Sequence, residues 1–109
     1  MTDLLKWHQI KFPRATVDSQ KLHLEEEMKE FGEADELHIL EELADIYIVA
    51  ISLQRWDETK ELSNAVLDFY FNNLNNNWRN KVLKAVEDKI NVINAREYFW
   101  NGRDYDRKR

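Results

Sequence analysis

The sequence has no cysteine, one proline (Pro13) and two glycines (Gly32 and Gly102) in 109 residues. Without cysteine there is neither a disulfide framework nor a thiolate metal site, and the redox compartment leaves no mark on the chain. So little proline and glycine leaves few places to turn tightly and favours long helices. Long hydrophobic runs are missing too. The most apolar stretch, Leu43 to Leu53, is interrupted by Asp45 and is far short of the roughly 20 residues that span a bilayer. Met1-Thr2-Asp3-Leu4-Leu5-Lys6 opens acidic rather than basic, unlike a signal peptide. The net charge of -5 lacks the basic excess of a nucleic-acid surface, and Arg107-Lys108-Arg109 is too short to supply one. A soluble, cytoplasmic protein without membrane or nucleic-acid partners is expected. There is no Gly-rich phosphate loop, no Ser/His/Asp order and no Glu-x-x-His pair, which argues against P-loop enzymes, triad hydrolases and ferritin-like di-iron bundles.

What is present fits one domain, residues 1–109, with 43% hydrophobic and 12% aromatic residues to fill a core. Leu4, Leu5, His8 and Phe12 recur at helical spacing and Pro13 stops them, so a first helix is predicted over 3–12. Asp18 or Ser19 is a suitable N-cap for a second, whose stripe Leu24, Met28, Phe31 runs to about residue 33. A third is predicted from 34–36 to about Trp56; it is apolar around most of its circumference and therefore central. Asp57 opens a fourth, through Phe71, before the asparagines at 72–77 interrupt it. Val82, Val86, Ile90 and Ile93 carry a last helix from Trp78 to about Phe99, and the chain from Gly102 reads as a frayed tail. The fold class is all-α, a bundle of four to five helices. A third helix this apolar in so short a chain suggests a core completed by oligomerisation.

The carboxylates need a reason. Glu27 with Glu30, and Glu42 with Asp45, are each spaced i, i+3, which puts both members on one helix face. Acidic runs on helices are mostly solvated faces, but Asp45 sits inside Leu43-Ala44-Asp45-Ile46-Tyr47-Ile48. Burying an unpaired carboxylate costs on the order of several kcal/mol. If the apolar stripes of helices two and three pack together, both pairs meet at one seam, where their repulsion calls for a cation. Hard oxygen ligands suit Mg²⁺, with Mn²⁺ as the substitute. Glu27, Glu30, Glu42 and Asp45 are thus the candidate metal ligands, with Glu26 as the candidate proton acceptor.

The run Lys21-Leu22-His23-Leu24-Glu25-Glu26-Glu27-Met28-Lys29-Glu30, followed by Glu41-Glu42-Leu43-Ala44-Asp45-Ile46-Tyr47, resembles the EExxE…ExxD signature of the MazG-like all-α nucleoside triphosphate pyrophosphohydrolases. Trp7, Phe12-Pro13-Arg14-Ala15-Thr16 and His23-Leu24 further resemble the branch that includes dATP/dGTP pyrophosphohydrolases. That branch carries a late Lys, an Asn four residues on, an Arg three after that and an aromatic two beyond. Lys89, Arg96 and Tyr98 fit it; position 93 is Ile and the Asn stands at 94. The resemblance implies a helical bundle completed by dimerisation or higher assembly, with Mg²⁺ on Glu27, Glu30, Glu42 and Asp45. It implies Lys89, Asn94 and Arg96 as substrate contacts, and cleavage of a (deoxy)nucleoside triphosphate to its monophosphate and pyrophosphate. Trp7, Trp56, Trp78 and Trp100 are candidates to stack on a base, though aromatic residues at such spacing more often build a core or interface. The rival reading is a helical interaction or assembly protein of the same fold without catalysis.

Overall fold

The computed structural model describes residues 3–108. Five α-helices, α1 (Leu4–Lys11), α2 (Val17–Glu33), α3 (Ile39–Ser52), α4 (Lys60–Leu67) and α5 (Asn76–Asn94), are followed by a short hairpin of β1 (Tyr98–Trp100) and β2 (Tyr105–Arg107). The chain is an all-α bundle with that one small hairpin.

Local chemistry sets the helix starts. Asp3 accepts from the Lys6 backbone N–H at 3.1 Å to open α1, and Asn75 from that of Trp78 at 2.9 Å to open α5. The N-cap of α2 is Thr16, ahead of the expected Asp18 or Ser19, because Thr16 and Ser19 form a reciprocal capping box, each side chain accepting from the other's backbone N–H. α3 starts later than expected, at Ile39. Asp35 holds a preceding turn instead, accepting from both the backbone N–H of His38 and its ring at 3.1 and 2.7 Å. Beyond Ser52 the chain tightens into a 3₁₀ turn at Leu53–Arg55 and turns extended at Trp56. A second 3₁₀ turn, Asp57–Thr59, leads into α4, which widens into a π turn at Asp68–Asn72 before the asparagine-rich break.

α3 is central. One side buries Leu43, Ala44 and Ile48 against Leu4 of α1 and Val82, Val86 and Ile90 of α5. The other buries Ile46, Val49 and Ala50, with Leu53 of the following 3₁₀ turn, against Leu24 of α2 and Val66 of α4. The apolar circumference that suggested a partner chain is therefore largely covered within one chain. What stays exposed lies elsewhere: Ile10, Leu37 and Phe69 are each more than two-thirds exposed.

The expected helix over 78–99 is corrected at its end. α5 stops at Asn94, and the segment read as a frayed tail doubles back as β2, pairing antiparallel with β1, Tyr98 opposite Arg107 and Trp100 opposite Tyr105. Gly102, at φ 95°, makes the turn. Asn101 accepts from the backbone N–H groups of Arg103 and Asp104. No described helix is long and apolar enough to cross a membrane.

Candidate metal centre

α2 and α3 run antiparallel, and one contact between them shows their register. Gln20 Nε2 lies 2.7 Å from Ser52 Oγ. Seven residues further along α2 is Glu27, and seven residues back along α3 is Asp45, so two turns away, about 10 Å down the seam, these two acids face each other. Glu30 and Glu42 stand one turn from each. The result is a convergence: one carboxylate oxygen from each of Glu27, Glu30, Glu42 and Asp45 falls within 4.8 Å of all the others. Glu30 is exposed at the rim; the other three are half-buried.

Four like charges this close repel by about 3 kcal/mol per pair at an effective dielectric of roughly 20. The ion pair to the cluster among the described residues comes from Lys89 of α5, whose Nζ lies 3.3 Å from Asp45 Oδ1. One ammonium leaves most of the charge unbalanced, and the carboxyls respond by holding protons. Glu27 is pushed up to about 8, first by burial and then by the charges of Asp45 and Glu30. Glu42 is raised by burial and by Asp45. Asp45 is raised by burial, with Lys89 pulling the other way. Glu27 Oε2 and Glu42 Oε2 are buried without any hydrogen-bond partner. Buried acceptors in that state are costly. A hard divalent cation would satisfy both orphaned oxygens and offset the repulsion, so the residues present fit Mg²⁺ on chemistry and on geometry alike.

A cavity of about 240 Å³ opens beside the cluster, bounded at one end by Glu27, Asp45 and Lys89 and along its length by Ile48, Val49, Ile93 and Arg96. Its far end is polar and buried: His8, Gln20 and, behind Gln20, Ser52. Phe12, Tyr98 and Tyr105 close it with a cluster of edge-on rings, 5.1 Å between the Phe12 centroid and each tyrosine. The hairpin is anchored over this cavity by Asp104 Oδ2, 2.7 Å from His23 Nε2, and by the Tyr105 hydroxyl, which accepts from the Arg14 backbone N–H at 2.8 Å.

Of the residues singled out in the sequence, the four acids meet, and Lys89 and Arg96 both reach the cavity wall. Asn94 does not line it. Its Oδ1 accepts from the Trp7 indole N–H at 2.9 Å, and Ile93 takes the cavity position. Glu26 is exposed and lies outside the convergence, because the residue before Glu27 is turned about 100° around the helix. None of the four tryptophans lines the cavity; the Trp56 ring lies under the Arg55 guanidinium and Trp100 meets Tyr105 edge-on. Gln20 was not anticipated. Its signal is the heptad Gln20, Leu24, Glu27, which places it on the same stripe of α2 as the first metal-ligand candidate.

No protein-family model, no curated protein and no solved structure matches this chain.

Proposed function

We propose that this protein is a Mg²⁺-dependent nucleoside triphosphate pyrophosphohydrolase, converting a (deoxy)nucleoside triphosphate to the monophosphate and pyrophosphate. The observation that carries the reading is the pair of orphaned carboxylate oxygens, on Glu27 and Glu42, inside a four-acid convergence that borders a partly open cavity. A cluster serving only the fold gains nothing from acceptors left unpaired.

In this reading Glu27, Glu30, Glu42 and Asp45 hold Mg²⁺, with Mn²⁺ as substitute. Bound there, the metal supplies charge neutralisation for phosphate oxygens and lowers the pKa of a water. Lys89, already at the cluster, and Arg96, along the same wall, bind phosphate oxygens; the guanidinium does so bidentately. Glu26, exposed and outside the four, accepts the proton released as water attacks. Asn94 belongs to the proposal only through its bond to Trp7, which ties the end of α5 to α1 and so positions Arg96. The apolar middle of the cavity excludes water from the remainder of the substrate. Exposed Ile10, Leu37 and Phe69 fit a homo-oligomer, a dimer or tetramer, in the cytoplasm.

The test is release of pyrophosphate from nucleoside triphosphates by the wild type and by Asp45→Asn, with and without Mg²⁺. Metal-dependent release by the wild type alone supports the reading. Folded, metal-binding protein that turns over no nucleotide favours the assembly protein instead.

A further inference from the structure

The hairpin starts from one bank of the cavity and fastens to the other. Its linker, residues 95–97, leaves the end of α5, where the Trp7 indole N–H donates to Asn94 Oδ1 at 2.9 Å and pins the last helical residue. Three polar contacts then tie the segment to α1, to the loop after it and to α2. Lys11 Nζ donates to the Arg96 carbonyl at 3.1 Å, the Arg14 backbone N–H donates to the Tyr105 hydroxyl at 2.8 Å, and Asp104 Oδ2 lies 2.7 Å from His23 Nε2. Between these points Tyr98 and Tyr105 meet Phe12 and wall the cavity, and Arg96 lines it from the linker itself.

Little else holds this strap down. Neither buried core includes a residue of the hairpin. Beyond the linker, its backbone-to-backbone hydrogen bonds among the described residues close only on the segment itself: the β1–β2 ladder, Asn101 N–H to the Asp104 carbonyl, and Lys108 N–H to the Glu97 carbonyl. A two-stranded hairpin this short is not stable alone, so its order depends on docking. The side chains of His23 and Asp104 are 33% and 19% exposed, within reach of competing water. A segment with few buried apolar contacts belongs to the low-stability end of a fold, the part that opens while the core stays intact.

We propose that residues 95–107 form a latched lid on the cavity: the segment swings about the linker after Asn94, the His23–Asp104 pair is its latch, and a nucleoside triphosphate holds it shut by engaging Arg96. This rests on the pyrophosphohydrolase reading for the ligand, though not for the latch. Hinges are a few residues at the end of an element that absorb the backbone change, and 95–97 follow directly on a pinned helix end. His23 stands one turn from Glu27 on the same face of α2, so the latch is set on the helix that carries two of the four clustered acids. Arg96 sits in the hinge, so its reach to a phosphate depends on where the lid stands. Beneath the lid, His8 and Gln20 line the cavity at only 5% and 3% exposure, and closure keeps that end dry around a bound ligand.

The experiment is hydrogen–deuterium exchange of the full chain in Mg²⁺, read by mass spectrometry, comparing the hairpin with α3. In the free wild type the ladder amides of 98–107 should exchange at least about a hundredfold faster than those of α3. His23→Ala leaves every hydrogen bond within the hairpin in place, and Asp104→Asn keeps the side-chain oxygen that accepts from the Tyr105 N–H. Each should speed the hairpin by a further factor on the order of five and leave α3 unchanged. The α,β-methylene analogues of the common dNTPs, uncleavable between the first two phosphates, should slow the hairpin in the wild type. Hairpin and α3 exchanging together, or variants that exchange like the wild type, would overturn the lid; if one variant fails to fold, the other decides. An analogue that binds without slowing the hairpin would overturn it too. No binding of any analogue, with the variants still freeing the hairpin, would refute the nucleotide reading and leave the latched lid standing.

Discussion

Lys89 Nζ stands 3.3 Å from Asp45 Oδ1, so that α5 reaches across to the acidic seam between α2 and α3 and brings an ammonium to it. Both side chains are about three-quarters covered, which keeps the pair from being fully screened. Replacing Lys89 by Met should destabilise the metal-free protein by about 1–2 kcal/mol at neutral pH, since it strips the cluster of that charge. Saturating Mg²⁺ should recover most of the loss. Urea unfolding with and without the metal measures both; an equal loss in both conditions would mean that Lys89 acts through packing.

Asp45→Asn and Glu42→Gln should have the opposite effect on the metal-free protein. Each removes one repelling charge from the convergence, so the apo form should melt higher, by on the order of 5 °C for about 1 kcal/mol. Helicity should be nearly unchanged. The Mg²⁺-induced rise in melting temperature should vanish together with turnover. Differential scanning fluorimetry across a Mg²⁺ titration reads all three, and turnover retained by either variant would remove that residue from the ligand set.

The pH dependence has two opposed arms. Glu27 is raised from 4.5 to about 8 in the folded state, so folding takes up a proton between those values and stability falls as pH rises through that window. His8 is lowered from 6.5 to about 3, so the unfolded state binds the extra proton and stability rises with pH between 3 and 6.5. Above pH 6.5 the Glu27 arm stands without the His8 one. The metal-free wild type should lose stability from pH 6.5 to 8.5, while Glu27→Gln should be flatter; matching slopes would contradict the assignment. Mg²⁺ must displace the Glu27 proton, so its affinity should climb over the same range.

Much of this was legible before any coordinates. A helix apolar all round, as Leu43 to Leu53 is, has to be central, and α3 is. Two i, i+3 acid pairs on neighbouring helices can share a point, and these do. The register that brings Glu27 opposite Asp45 was not legible, because it is set by packing between helices and not by spacing within them. The hairpin was passed over for a different reason. Val82, Val86, Ile90 and Ile93 project a helical period onward, and three-residue strands are too short to oppose it with an alternation of their own. The dipeptide Asn101-Gly102 was the cue, since Asn-Gly is a strong hairpin signal. With the hairpin went Tyr105 and the closed side of the cavity.

Glu26 carries the proton-transfer step in this account while contributing nothing to the cluster. Glu26→Gln should therefore leave the Mg²⁺-induced thermal shift intact and lower kcat by roughly 10²-fold or more, the usual range for a general base. A lost thermal shift would place Glu26 among the ligands, and an unchanged kcat would assign the proton to another group.

The central claim is tested most directly by incubating the purified protein with each common NTP and dNTP, in Mg²⁺ and in excess chelator, and resolving the products by anion exchange. The account predicts monophosphate and pyrophosphate in equal amounts, formed with metal and absent with chelator. Diphosphate and orthophosphate, metal-independent cleavage, or no turnover of any nucleotide would contradict it.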